Sequence, residues 1–183
     1  MPARGRTQDD AAMGSSQAPD PYRFRDATEG DIDAIVAVVN LAYRVEDFFI
    51  DGDRTHAGEV RENMRACSLA VVIEAPGEPL CASIFTKVEG SQGYFGMLSV
   101  HPERAHRGLG TALIAEAERR AREAGCDRMK LVVVNLREDI IPWYRRLGYV
   151  ETGTAPFAEP QKLKQPAHFV EMTRWRFFES PSE

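Results

Sequence analysis

The chain of 183 residues has no apolar run long enough to span a bilayer, so a membrane partner is not expected. Cysteine is scarce. Cys67, Cys81 and Cys126 lie far apart, are odd in number and form no Cys-x-x-Cys pair. That argues against a disulfide framework or a thiolate metal site and fits a reduced, cytoplasmic setting. The four histidines, His56, His101, His106 and His168, lack metal-ligand spacing, so no metal is expected. Positive charge is in deficit as well: a net charge of -5 disfavours nucleic acid as a partner. An apolar leader is missing, and Asp9 and Asp10 count against a transit peptide. Residues 1–21, polar and rich in Gly, Ser, Pro and Asp, read as a disordered tail, with 177–183 as a second. The stretch between, 22–176, has the size of a single domain.

Two phosphate-binding strings are also missing. There is no Gly-x-x-x-x-Gly-Lys-Ser/Thr, and a Gly-x-Gly-x-x-Gly beginning at Gly108 would need its third glycine where Leu113 stands. What is present is Arg107-Gly108-Leu109-Gly110-Thr111 at the mouth of an alanine-rich amphipathic helix. A plain helix start prefers Ser, Thr or Asp as its cap. Glycines there admit close approach to the backbone, and the free N–H groups of a helix N-terminus attract anions.

The periodicities predict a strand at 22–27 and a helix opened by Thr28, with Asp31 in capping-box position and Ile32, Ile35, Val36, Val39 and Tyr43 on one face. A second helix near Thr55 carries Val60, Met64 and Cys67. A hairpin turning at Pro76-Gly77 follows, then a strand over Gly93–Val100, where Gly93 and Gly96 suggest a bulge or a close backbone approach. The main helix sets Leu109, Leu113, Ala117, Ala121 and Ala124 on one face and stops at Gly125. "RMKLVVVN" reads as a buried strand, "EDIIPWYRRLGY" as a short helix, and "VETGTA" and "AHFVEMTRW" as closing strands. The expected class is α/β, layered in the α+β manner, with a mixed, mostly antiparallel central sheet and helices on both faces. Arg119, Arg120 and Arg122 read as a solvated face paired with Glu116, Glu118 and Glu123.

"MLSVHPERAHRGLGTALI" and "IIPWYRRLGYVETG" resemble the coenzyme segment and the tyrosine-bearing helix of the GNAT family of acyl-CoA-dependent N-acetyltransferases. The order of elements over residues 22–176 is similar to that family's. The resemblance implies acetyl-CoA as co-substrate, an amine as acceptor and a GNAT-type fold, with a homodimer left open. It implies that Leu98, Ser99 and Val100 meet the pantetheine arm and that the amides around His106, Arg107, Gly108, Leu109, Gly110 and Thr111 cradle the pyrophosphate. Tyr144 would be the acid that protonates the departing sulfur. Two positions depart from the family pattern: Ala105 stands where Gln or Arg is usual, and Arg137 where an asparagine is common, so either Arg137 or Asn135 is the coenzyme contact.

A lysine-like amine, with a pKa of about 10.4, is neutral in only about one molecule in a thousand at pH 7, so a base is useful. Glu46, Asp47, Asp51 and Asp53 in "VEDFFIDGDR", Glu89, Tyr94 and His168 are candidates, and the sequence does not choose among them. With no cysteine placed as a nucleophile, direct attack is expected. A non-catalytic acyl-CoA-binding or protein-interaction domain on the same fold is the alternative.

Overall fold

The computed structural model describes residues 23–73 and 78–175, so both expected tails and the Pro76-Gly77 turn lie outside the described residues. The elements run β1 (Arg23–Asp26), α1 (Ile32–Ala42), α2 (Ala57–Ala66), β2 (Ser68–Ile73), β3 (Ala82–Glu89) and β4 (Gln92–Val100). They continue with α3 (Leu109–Glu123), β5 (Arg128–Val134), α4 (Ile141–Arg146), β6 (Val150–Pro156) and β7 (His168–Trp175). This is the expected order, with single turns of 3-10 helix added at four places. The seven strands form one sheet in the order β1-β2-β3-β4-β5-β7-β6. Every neighbouring pair is antiparallel except β4 and β5. No helix among the described residues is long and apolar enough to cross a membrane.

Helices cover both faces of the sheet. On one, Leu113, Ile114, Ala117 and Ala121 of α3 and Tyr144 of α4 pack with Phe95, Met129, Leu131 and Met172 of the strands. On the other, Ile35, Val38 and Val39 of α1 meet Val60 of α2, with Phe85 and Met97 against them. Strand β3 therefore serves both cores by its two-residue alternation, Ala82 and Ile84 to one side and Phe85 to the other. The alanines of α3 let the helix lie close to the sheet: a Cβ on Gly93 would stand 2.8 Å from the Ala121 Cβ and from the Met129 sulfur. The close approach expected from a glycine inside a strand is thus α3 itself.

At the start of α1 the carboxylate of Asp31 reaches back, accepting from the Thr28 N–H at 2.7 Å and its hydroxyl at 2.8 Å. The Arg25 guanidinium donates to both Asp31 oxygens at 2.7 Å and holds this carboxyl well below the usual carboxylate range.

The charged face of α3 needs one correction. Glu116 and Glu123 do pair with Arg119, at 2.8 and 2.6 Å, and Arg120 bridges to Glu116 and Asp26. Glu118 is not on that face. It is buried, accepting from the Tyr149 hydroxyl at 2.7 Å and from Arg174 Nη1 at 2.9 Å. The reason is helical phase: 118 follows 114 by four residues and precedes 121 by three, and both neighbours are core.

Candidate active site

The site begins where the sheet stops being a sheet. β4 and β5 are paired only over Gln92, Gly93 and Tyr94 against Arg128, Met129 and Lys130. Beyond that point β4 runs on to Val100 and β5 to Val134 with no further pairing between them. The cause lies in β4. Between Gly96 and Ser99 two residues, Met97 and Leu98, stand opposite the single Ile84 of β3, a β-bulge. Met97 takes a φ of +48°, and the Ser99 hydroxyl donates to the Met97 carbonyl at 3.0 Å, bracing the bend. Leu98, Ser99 and Val100 thus lie on the lip of a gap, their backbone edge toward β5 unpaired with it. Such an edge can receive an extended chain carrying amides.

The mouth of α3 lies just past this lip. His101 anchors the descent from β4 by donating its N–H to the Cys81 carbonyl at 2.7 Å. After a 3-10 turn over Pro102–Arg104 and an extended Ala105, His106 and Gly108 both adopt left-handed backbone, with φ of +62° and +81°. Gly108 caps α3 with no side-chain acceptor, and the first helical bond is Ala112 N–H to Gly108 O at 2.9 Å. The N–H groups of Leu109, Gly110 and Thr111 therefore precede the helical ladder and face outward at the positive end of the helix dipole. Leu109 is buried and pins the turn, while His106, Arg107 and Gly108 are exposed. The two glycines differ. A Cβ on Gly108 would meet nothing within 4 Å, whereas one on Gly110 would stand 3.4 Å from the Trp143 ring. Gly108 opens the loop; Gly110 lets α3 nest against α4.

Tyr144 projects from the six-residue α4, which Pro142 helps to start. Its ring packs against Trp143, Tyr149 and Phe95, with centroids 4.9, 6.1 and 6.2 Å away. Among the described residues its hydroxyl makes no hydrogen bond to protein. Burial pushes that hydroxyl far above its usual range, and the charges acting on it come from Tyr43, Arg137, Tyr94 and Glu46. Two of these, Tyr43 and Glu46, belong to the turn after α1 on the opposite face of the sheet.

On that opposite face stands a carboxylate that sequence reasoning did not single out. Glu46 is buried, unlike Asp47, Asp51 and Asp53 around it. Burial pushes its carboxyl up, and the nearby Arg137 and Arg54 pull it back down. Arg137 Nη1 lies 3.1 Å from Glu46 Oε1, and Nε and Nη2 donate to Asp139 at 2.9 and 3.0 Å. A signal was available: Val39, Tyr43 and Glu46 continue the apolar stripe of α1 at spacings of four and three.

Of the two residues offered as a coenzyme contact beyond β5, Arg137 is held by these carboxylates. Asn135 clasps β7, accepting from the His168 N–H at 2.9 Å and donating its own N–H to the His168 carbonyl at 3.0 Å. The His168 side chain is exposed, and Glu89 pairs with Lys87 at the far end of β3, so neither joins the gap. The acidic loop lines a cavity of about 700 Å³ together with Asn40, Tyr43, Arg54 and Lys164. Within that loop Phe49 is fully buried while Phe48 is exposed, so only one of the two phenylalanines plugs the core. Among the described residues no cluster of His, Cys, Asp or Glu could hold a metal ion.

A model of the acetyltransferase (GNAT) family matches residues 35–149 of this chain. The acetyltransferase SG1711 of Sodalis glossinidius (strain morsitans) is 33% identical over 81 residues, 44% of this chain and 56% of that protein. The match thus spans about half the length of this curated relative. Among solved structures, the ribosomal-protein-alanine N-acetyltransferase of Brucella melitensis superposes with a TM-score of 0.65 at 22% identity, over 84% of this chain and 99% of that one. Nourseothricin acetyltransferase superposes with a TM-score of 0.67 at 19% identity, over 86% and 99%. At these identities the likeness to the solved structures is one of fold.

Proposed function

The chain belongs to the GNAT acetyltransferase family, and from that premise we propose that it transfers an acetyl group from acetyl-CoA directly to a primary amine. The observation that carries the reading is the parting of β4 from β5, with the open mouth of α3 at its end and Tyr144 of α4 in the same core as α3. Pantetheine amides would lie along Leu98, Ser99 and Val100 as an added strand. The pyrophosphate would sit on the N–H groups from His106 to Thr111, with positive charge from Arg107 and the helix dipole. Ala105 can offer only backbone there. Asn135 and Arg137 flank the other lip, at the end of β5.

In the reaction the amine nitrogen bonds to the thioester carbon, the carbon–sulfur bond breaks, and the ammonium proton must leave. On this reading Glu46 is the carboxylate that accepts it, a role supported by its burial and its contact with Arg137 beyond the end of β5. Burial makes this group more basic than an ordinary glutamate, while Arg137 opposes that rise and holds the carboxylate in place. Tyr144, kept protonated by burial, donates a hydrogen bond to the sulfur as negative charge develops there. A thiol pKa of about 8.5 makes the thiolate a tolerable leaving group, so this hydrogen bond does not require complete proton transfer. Burial pushes the Cys67 and Cys126 thiols up, the wrong direction for a covalent acyl carrier, which supports direct attack.

Calorimetric titration with acetyl-CoA, followed by release of CoA thiol against an amine panel, tests the proposal. Saturable binding with amine-dependent thiol release is expected. Binding with no release for any amine would leave a coenzyme-binding domain and overturn the enzymatic reading.

A further inference from the structure

Three cations, Arg44, Arg54 and Lys164, line the cavity beside Glu46, and a fourth, Arg137, reaches Glu46 from outside that lining. Lys164 Nζ lies 3.0 Å from Asp51 Oδ1 and donates to the Asp47 carbonyl at 2.7 Å. Arg137, at the edge of the site, is held by Glu46 and Asp139. Arg44 is exposed at the rim. Arg54 is different. It is half-buried, its guanidinium carbon lies 5.1 Å from the centroid of the Tyr43 ring, and among the described residues no carboxylate stands within ion-pair distance of it. A guanidinium cannot shed its proton, and among the described residues the Arg54 N–H donors make no hydrogen bond to protein. Arg54 lines the same cavity as Tyr43 and Glu46, and its charge acts on both of them. A cation that lines the same cavity as a buried carboxylate without forming an ion pair with it is complementary to a molecule carrying both charges.

We propose that the acceptor is a small amino acid, its carboxylate bound by Arg54 and its amine directed at Glu46. This rests on the acetyl-transfer reading above and names the acceptor that reading left open. A cavity of about 700 Å³ accommodates such a molecule with a sizeable side chain.

The test compares kcat/KM for amino acids with that for the amines left when their carboxylate is removed, in the wild-type protein and in Arg54→Gln. The change in that ratio cancels intrinsic differences in amine reactivity. A fall of roughly tenfold or more is expected, carried by the KM of the amino acid alone, with partial recovery in Arg54→Lys. Arg44→Gln separates a specific contact from bulk charge and is expected to keep the wild-type ratio. An unchanged ratio in Arg54→Gln, or an equal fall in Arg44→Gln, would overturn the assignment. So would turnover of other amines with none of the amino acids, an outcome that leaves acetyl transfer standing. If acetyl-CoA itself fails to bind the wild-type protein, the reading beneath fails and this one with it.

Discussion

On the α3 side of the β4–β5 gap, the parts that would meet the coenzyme are main chain: a strand edge released by a bulge and a helix start whose cap has no side chain. On the α1–α2 side the parts are side chains, Tyr43, Glu46, Arg54 and Tyr94, brought together by a turn, a loop and a strand. Backbone recognition suits a ligand that is the same in every member of a family, because N–H groups are supplied by any sequence that keeps the turn. Side-chain recognition suits the ligand that differs, since each substitution changes its chemistry. The two halves also differ in how they are fastened. α3 is fastened to the sheet by a buried polar triad and an apolar stripe, whereas the acidic loop is held by Phe49, by the pairing of Ile50 with Leu163 and by the Lys164 contacts.

The sharpest test of this division is the one residue that spans it. Tyr144→Phe removes a hydroxyl with no protein hydrogen bond and almost no volume, so stability and acetyl-CoA affinity are expected to hold. Turnover is expected to fall by roughly a hundredfold or more, measured as kcat with saturating amine. An unaltered kcat would make Tyr144 part of the aromatic packing only.

Glu46→Gln acts on the acceptor half alone. Turnover at pH 7 is expected to fall by roughly ten- to a hundredfold and to recover as pH approaches the amine's own pKa, where no base is needed. A pH–rate profile shows this recovery; a pH-independent deficit would demote Glu46 to a structural partner of Arg137. Stability carries a second signature. Burial raises the Glu46 carboxyl above its ordinary 4.5, so between that value and the raised one the folded protein holds a proton the unfolded chain has lost. Stability therefore falls as pH rises through that window, and the substitution is expected to flatten the slope.

Glu118→Ala strikes the other half without touching the gap. It strips the acceptor from the Tyr149 hydroxyl and leaves Arg174 without its buried partner. A loss of about 2–3 kcal/mol in chemical denaturation is expected, below the full cost of a sealed ion pair because the Arg174 side chain is 24% exposed. The acceptor KM should not move; if it did, the two halves would not be separable.

How much of this was legible follows the same division. The glycine knot, the tyrosine helix and every strand and helix could be read from local pattern, because backbone sites and amphipathic faces leave short-range marks such as Gly108 before Leu109. The bulge in β4 was half legible: Gly96 hinted at it, yet the left-handed residue is Met97, whose conformation is imposed by pairing with β3. Glu118 was misplaced because charge was weighed above helical phase. Glu46 stood undistinguished among several candidate acids, and Arg54 was not singled out at all, for a different reason. The stripe of Val39, Tyr43 and Glu46 marks Glu46 as buried, but its pairing with Arg137, about ninety residues away, and the charge Arg54 exerts on Tyr94, about forty away, leave no local mark.

The mildest perturbation addresses the loop's outer acids. Asp51 is exposed and paired with Lys164 at 3.0 Å, and Asp53 is exposed beside the left-handed Gly52. Neither is buried, so neither can grip a substrate as Glu46 or Arg54 can. What they can do is bias the field at the cavity entrance, an effect that water and salt screen. Exposed ion pairs are worth about 0.2–1 kcal/mol each, so replacing both with asparagine is expected to raise the KM of a carboxylate-free amine by roughly two- to fivefold at low salt, and that of an amino acid, whose charges cancel, by less. The increase should vanish near physiological ionic strength, where the Debye length of about 8 Å is shorter than the width of such a cavity. The KM for acetyl-CoA is expected to stay the same, because the α3 mouth lies on the other face of the sheet. Asp51 also helps hold Lys164, so a thermal melt of the double variant serves as the control for loop loosening. An unchanged acceptor KM at low salt would confine acceptor recognition to the buried pair of Glu46 and Arg54. A rise that persists at high salt would mean that these acids touch the acceptor directly.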